Sequence, residues 1–251
     1  MNRREVSGSL PGDGGASLPV GDALPDWTPA RLPPHVAMEG RFVRLEPLDP
    51  ALHAEALFRA NEADATGDGW TYLPYGPFEN PEAYRRWTED VAPLADPDFY
   101  TVIPQGGRPA GLVSYLRIQP PIGSIEVGHI RYAPILQRTR AGTEAMYLMM
   151  RRAFDELGYR RYEWKCDALN AASRRAAERL GFQYEGTFRQ ATIYKDRNRD
   201  TSWYAVIDGD WPAIRAAFES WLSPTNFDDS GAQRRSLQDC RREAISMQDG
   251  P

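Results

Sequence analysis

The chain is 251 residues long, 41% hydrophobic and 26% charged, the balance of an ordinary globular protein with one substantial domain or two small ones. Its net charge of −5 gives no global pull toward nucleic acid or acidic membranes, so any basic patch must be local. No run approaches the ~18–20 apolar residues of a membrane helix, the N-terminus lacks the apolar stretch of a secretory signal, and Cys166 and Cys240 are too few for a disulfide framework or a zinc site, so the expectation is a cytoplasmic protein without metal.

Residues 1–35 are rich in Gly, Pro, Ser and Asp without periodicity and read as a disordered leader. Arg41–Leu48 alternates as a strand. Asp49 and Pro50 suit the cap and first position of a helix running to Glu62. Gly69–Phe78 is an aromatic loop punctuated by Pro and Gly, and Asn80–Pro81 repeats the cap-plus-proline start for a second helix. Residues 99–118 form a hairpin turning at Gly106–Gly107, and Ser124–Pro134 is a further strand. Gln137–Phe154 is a helix with an apolar stripe at Met146, Met149, Met150, Ala153 and Phe154. Arg160–Ala168 alternates as a strand, and Asn170–Leu180 is a short helix closed by Gly181. Two strands around a turn follow, then a helix over Asp210–Leu222. From Ser223 the chain is polar and charged and reads as a disordered tail, with room for a short helix but no core. The folded unit is therefore 36–222. Its order, β-α-α-β-β-β-α-β-α-β-β-α, predicts an α+β (mixed α/β) fold: a mostly antiparallel twisted sheet, one strand–helix–strand crossover, and helices on both faces.

The helix beginning near Gln137 carries Arg138 and Arg140 in its first turn, the end where free N–H groups and the dipole already make positive potential. An anion between them removes the conflict. The preceding strand, the small Ala141 and Gly142, the hydroxyls of Thr139 and Thr143, and the two guanidiniums together suit a phosphate cradle. The plain alternative is two arginines decorating an exposed helix end. Neither G-x-x-x-x-G-K-[ST] nor G-x-G-x-x-G after a strand is present, so nucleotide hydrolysis and dinucleotide binding lack their motifs.

The run "LQRTRAGTEAMYLMMRRAFDELGYRRYEWKCDALNAASRRAAERLGFQYEG" resembles the coenzyme-binding motifs of the GNAT (GCN5-related) N-acetyltransferases, most closely the branch containing the ribosomal-protein N-terminal acetyltransferases. The likeness covers about residues 38–212 and rests on the T-E-A, N-x-x-S and LGF pieces at their mutual spacings. It implies acetyl-CoA as co-substrate, with the pyrophosphate at Gln137, Arg138, Thr139, Arg140, Ala141, Gly142 and Thr143. The pantetheine would lie between splayed strands near Ile130, Tyr132 and Cys166–Asp167. Arg140 stands where the family prefers glycine. By the same resemblance Asn170 bonds the pantetheine arm or caps its helix, and Ser173 is the hydroxyl that protonates the departing thiolate. The plain alternatives are an N-cap for Asn170 and a helix-surface serine for Ser173, and Tyr194 is the substitute acid.

The base is less directly indicated. Where the ribosomal-protein branch carries a carboxylate after "EG-x-x-[RK]-QA", this chain has Thr192. Glu126, on the strand before the cofactor loop, is the chosen base; its alternative is a solvated or ion-paired strand residue. His129 and Asp167 are the other candidates. Trp70, Tyr72, Tyr75 and Phe78 suit the acceptor side, where aromatic faces hold a flat or cationic ligand, or else pack the loop onto the core. Cys166 as an acyl carrier is disfavoured, since it sits inside an alternating strand. The reading is direct transfer of acetyl to a primary amine, more readily of a small molecule than of a protein N-terminus, by a monomer or homodimer without nucleic-acid or membrane partners. The alternatives are a protein N-terminal acetyltransferase and a non-catalytic acyl-CoA-binding module.

Overall fold

The structure is a computed structural model that describes Leu18 and residues 20–248. Eight strands form one sheet in the order β1 (Met38–Glu39), β2 (Val43–Pro47), β3 (Asp98–Pro104), β4 (Gly111–Gln119), β5 (Ser124–Tyr132), β6 (Arg161–Asp167), β8 (Arg197–Ile207), β7 (Gln183–Tyr194). Every neighbouring pair is antiparallel except β5 and β6. That parallel pair needs a crossover, which α3 (Arg140–Arg151) and the wider helical turn Arg152–Glu156 supply.

Local signals account for most helix ends. Asp49 accepts the Ala51 N–H at 2.9 Å before α1 (Pro50–Glu62), and Asn80 accepts the Ala83 N–H at 2.8 Å before α2 (Pro81–Val91). Asn170 does the same for α4 (Ala171–Leu180), which ends at Gly181 with a left-handed φ of 106°. β3 and most of β4 are buried on both faces, so they read as near-continuous apolar runs. The sheet divides the core. Tyr100, Val102, Val113 and Tyr115 point to one side, where α3, α4 and α5 (Trp211–Leu222) pack. Phe99 and Leu112 point to the other, where α1, α2 and the loop after α1 bury Leu57, Trp70 and Tyr84. The expected mixed fold, with helices on both faces, is the fold observed.

The two ends of the chain differ from expectation. Residues 1–17 and 19 of the expected leader lie outside the described residues. From Trp27 onward the chain packs on the body: its indole donates to the Pro121 carbonyl at 3.0 Å, and the Ala30 N–H donates to Pro120 at 3.1 Å. After Ser223 the expected coreless tail instead carries α6 (Leu237–Gln248), whose Leu237 and Cys240 are buried in the main core. Ser236 and Asp239 bond each other's backbone N–H at 3.1 Å, a reciprocal cap that fixes the helix start. Leu237 and Cys240, three apart, then form a narrow apolar stripe. Two apolar side chains in a polar run suffice when a partner helix receives them.

Candidate active site

β5 and β6 pair only from Ser124↔Arg161 to Val127↔Trp164 and then part. Two features separate them. β5 stays with β4 through a bulge, because Ser114 faces Gly128 and Leu112 faces Arg131, leaving His129 and Ile130 opposite one residue. His129 takes a left-handed φ of 51° there. β6 meanwhile continues its ladder with β8 to Asp167↔Thr201. The gap opens into a cavity of about 2160 Å³, well beyond the ~300–1,000 Å³ of a pocket for one small ligand.

The mouth of this gap is the start of α3. Thr139 caps the helix, accepting the Gly142 N–H at 3.0 Å and donating to the Leu136 carbonyl at 2.7 Å. Arg138 sits before it with a left-handed φ of 59°. The backbone N–H groups of residues 138–141 have no acceptor among the described residues. Four consecutive free amides at a positive helix end are suited to an anion. A Cβ on Gly142 would lie 2.8 Å from the Leu136 carbonyl oxygen and 3.2 Å from the Tyr132 ring, so only glycine fits there. Residue 140 faces the other way, which is why arginine is tolerated where a family glycine was expected. Its guanidinium stacks between Phe42 and Phe227. Gln137 donates to the Tyr132 carbonyl at 3.0 Å, Tyr132 donates to the Gly142 carbonyl at 3.2 Å, and Thr143 is buried, donating to the Thr139 carbonyl.

Deeper in, Ser173 lines the β6 side of the gap. Its Oγ accepts the Trp164 indole N–H at 2.9 Å, so its own hydrogen remains available to donate. Asn170 uses its carbonyl oxygen on the Ser173 N–H at 3.0 Å, leaving its amide nitrogen free of the cap. Glu126 is buried at the root of the gap, 2.7 Å from Arg117 and 3.0 Å from Lys165. Lys165 also holds Glu163 at 2.7 Å. The two carboxylates respond oppositely. Burial pushes Glu126 above the ordinary carboxylate range, and the Arg117 and Lys165 charges only partly offset it. Burial acts the same way on Glu163, but Lys165 and Arg161 outweigh it and its pKa falls. The alternation of Arg161, Glu163 and Lys165 along β6 was a sequence signal for this network; Arg117 had none.

Asp167 is buried and accepts the Tyr194 hydroxyl at 2.8 Å and the Leu169 N–H at 2.8 Å. Burial first, then Asp167, pushes the Tyr194 hydroxyl up to about 12. Burial, with Arg117 and Arg199 nearby, pushes His129 down to about 4, so it is neutral at physiological pH and a weak base. Burial raises the Cys166 thiol, consistent with an inert strand cysteine.

The expected acceptor residues separate. Tyr72 lines the cavity and donates to the Leu169 carbonyl at 3.2 Å. Trp70 is buried, with Phe78 at 5.5 Å, and the Arg131 guanidinium lies 4.6 Å over its ring. Tyr75 stacks on Trp87 at 4.4 Å and on His129 at 5.6 Å. Trp70, Tyr75 and Phe78 are packing residues of the smaller core, a correction to their expected place at the acceptor side. Gly76, at φ 67°, is required because a Cβ there would fall 2.5 Å from the Trp70 ring. Among the described residues no three His, Cys, Asp or Glu side chains group as for a metal, and no helix is long and apolar enough to cross a membrane.

A sheet opened between two parallel strands, with free backbone amides at the mouth of the gap, is the arrangement to set against known proteins. The chain belongs to the GNAT acetyltransferase family: the family model described as Acetyltransferase (GNAT) domain matches residues 43–183. It is similar to a GCN5-related N-acetyltransferase from Brucella melitensis, at 44% identity and a TM-score of 0.86 over 87% of this chain and 100% of that one. A probable acetyltransferase of the GNAT family from Chromobacterium violaceum is 42% identical, with a TM-score of 0.72 over 77% and 97%. The expected nearness to ribosomal-protein acetyltransferases is only distant. An acetyltransferase from Salmonella typhimurium that modifies the N-terminal serine of ribosomal protein L7/L12 is 22% identical with a TM-score of 0.57 over 67% and 96%, a likeness of fold alone. No curated protein matches.

Proposed function

We propose that the protein transfers the acetyl group of acetyl-CoA, the co-substrate of its family, to a primary amine of a small molecule. The observation that carries this is the joining of three features in one cavity: the free amides before α3, the β5–β6 gap, and the Ser173 and Glu126 side chains along it. The residues present fit the co-substrate. Residues 138–141 meet the diphosphate, and Asn170 and the β5 backbone at Ile130, which has no ladder partner, meet the pantetheine arm.

Acyl transfer needs a neutral amine, a place for its proton, and a proton for the leaving thiolate. Glu126 takes the amine proton, directly or through water. Its raised pKa makes it a better base than an exposed carboxylate, and Lys165 and Arg117 hold it in place. The Ser173 hydroxyl donates its hydrogen to the thiolate and recovers a proton from water entering the gap, so no serine alkoxide persists, while Trp164 steadies its oxygen. Support for a small acceptor comes from the ring of contacts around the acceptor side. Tyr72 bonds Leu169, and Lys195 on the β7–β8 turn donates to the Trp70 carbonyl at 2.8 Å. These ties narrow the approach that an extended polypeptide would need.

Mass spectrometry of an amine panel incubated with acetyl-CoA tests the reading. Acetylated small amines are the expected product, and acetylation confined to peptide N-termini contradicts the acceptor assignment. Coenzyme binding without any transfer would leave a binding module.

A further inference from the structure

The segment after α5 lies beyond the family-matched residues 43–183, yet it lines the cavity through Phe227, Ser230, Gly231 and Gln233. It is pinned at its base. Buried Asn226 donates to the Trp221 and Arg235 carbonyls at 3.0 and 3.1 Å and accepts the Arg235 N–H at 3.0 Å. Trp221 donates its indole N–H to Gln233 at 2.8 Å, and Phe227 pairs with Gln233 as an antiparallel bridge. Asp228 turns its carboxylate onto the Ser230 and Ala232 N–H groups, each at 2.9 Å. The loop therefore shows the cavity a ring, a glycine and neutral polar groups.

Arg140 is where this loop meets the start of α3. Its guanidinium lies 4.6 Å from the Phe227 ring and 4.9 Å from the Phe42 ring. Phe42 is itself fixed, because buried Glu144 accepts the Arg41 and Phe42 N–H groups at 3.0 and 2.6 Å. Two aromatic rings this close to its central carbon hold the guanidinium in place while leaving N–H donors for a further partner. It has no ion-pair partner among the described residues. A cation held this way keeps its donors while losing rotamers, which lowers the entropy cost of meeting a phosphate.

We propose that the loop Phe227–Gln233 is part of the coenzyme site. It holds Arg140 beside the diphosphate and forms the wall for the nucleotide end. This rests on the reading of the gap as a coenzyme A site. The acyl arm runs inward between the parted strands and the diphosphate lies at the helix start, so the adenosine 3′-phosphate end projects outward, where the loop stands.

Calorimetric titration of coenzyme A and of pantetheine, which lacks both the diphosphate and the nucleotide, separates the two claims. The proteins are wild type, Phe227→Ala and Phe227→Leu, with thermal melts of each. Both variants are expected to bind coenzyme A about tenfold more weakly, and pantetheine within about twofold of wild type. Unchanged coenzyme A affinity overturns the clamp while leaving the site reading intact. Equal losses for both ligands with a lowered melting temperature also overturn it, since Phe227 would then act through the fold. Wild type that binds neither ligand overturns the site reading, and the loop proposal with it.

Discussion

The loop Gly69–Phe78 and the segment after Ser223 exchange the roles their compositions suggest. The first is crowded with aromatic rings and reads as a ligand-facing surface, yet three of its four large rings pack in the smaller core. The second is polar and reads as a tail, yet it lines the cavity and buries Leu237 and Cys240 in the main core. The difference lies in what surrounds each segment. α1 and α2 carry too few large apolar residues to cover their face of the sheet, so the loop's rings complete it. α5 packs directly on α6 and buries its apolar residues, so even a sparse helix is captured.

Substitutions can break this comparison. Trp70→Ala is expected to cost about 3–5 kcal/mol of stability, measured by denaturant unfolding, because it empties a packed aromatic site. A loss below about 1 kcal/mol would return Trp70 to the acceptor surface. Stability should also fall in acid through His129, which stacks on this loop. Its folded pKa of about 4 lies below the ordinary 6.5, so the folded state binds fewer protons. Its contribution is whole above pH 6.5 and declines as pH drops toward 4, by roughly 3 kcal/mol, and a His129→Gln variant should lose that slope. Leu237→Ala is expected to cost about 2–3 kcal/mol, whereas a solvated tail would register nothing. Tyr72→Phe is the mildest change. It should raise the amine KM severalfold and leave the melting temperature within experimental error.

Much of this architecture was legible along the chain, for reasons visible in particular residues. Asp49–Pro50, Asn80–Pro81 and Asn170 with Gly181 are short-range codes, each satisfied by backbone groups within a few positions. The helix start at 138–142 stood out because two arginines there conflict with its own dipole. What escaped depends on distant partners. The bulge at His129 is set by β4, the Glu126 ion pairs by Arg117 and Lys165, and the direction of Arg140 by Phe42 and Phe227. The α6 start did leave a signal in "SLQD", a capping box that the surrounding charge obscured.

The central claim is that Glu126, raised by burial, accepts the amine proton in the β5–β6 gap. The direct measurement is the pH dependence of kcat/KM for wild type and Glu126→Gln on one accepted amine. A base must be ionised, so wild-type activity is expected to fall as pH drops through a pKa above the ordinary carboxylate range. The variant should be slower by about 10²–10⁴-fold and lack that limb. A variant with a near wild-type rate and an unchanged acid limb would contradict the account.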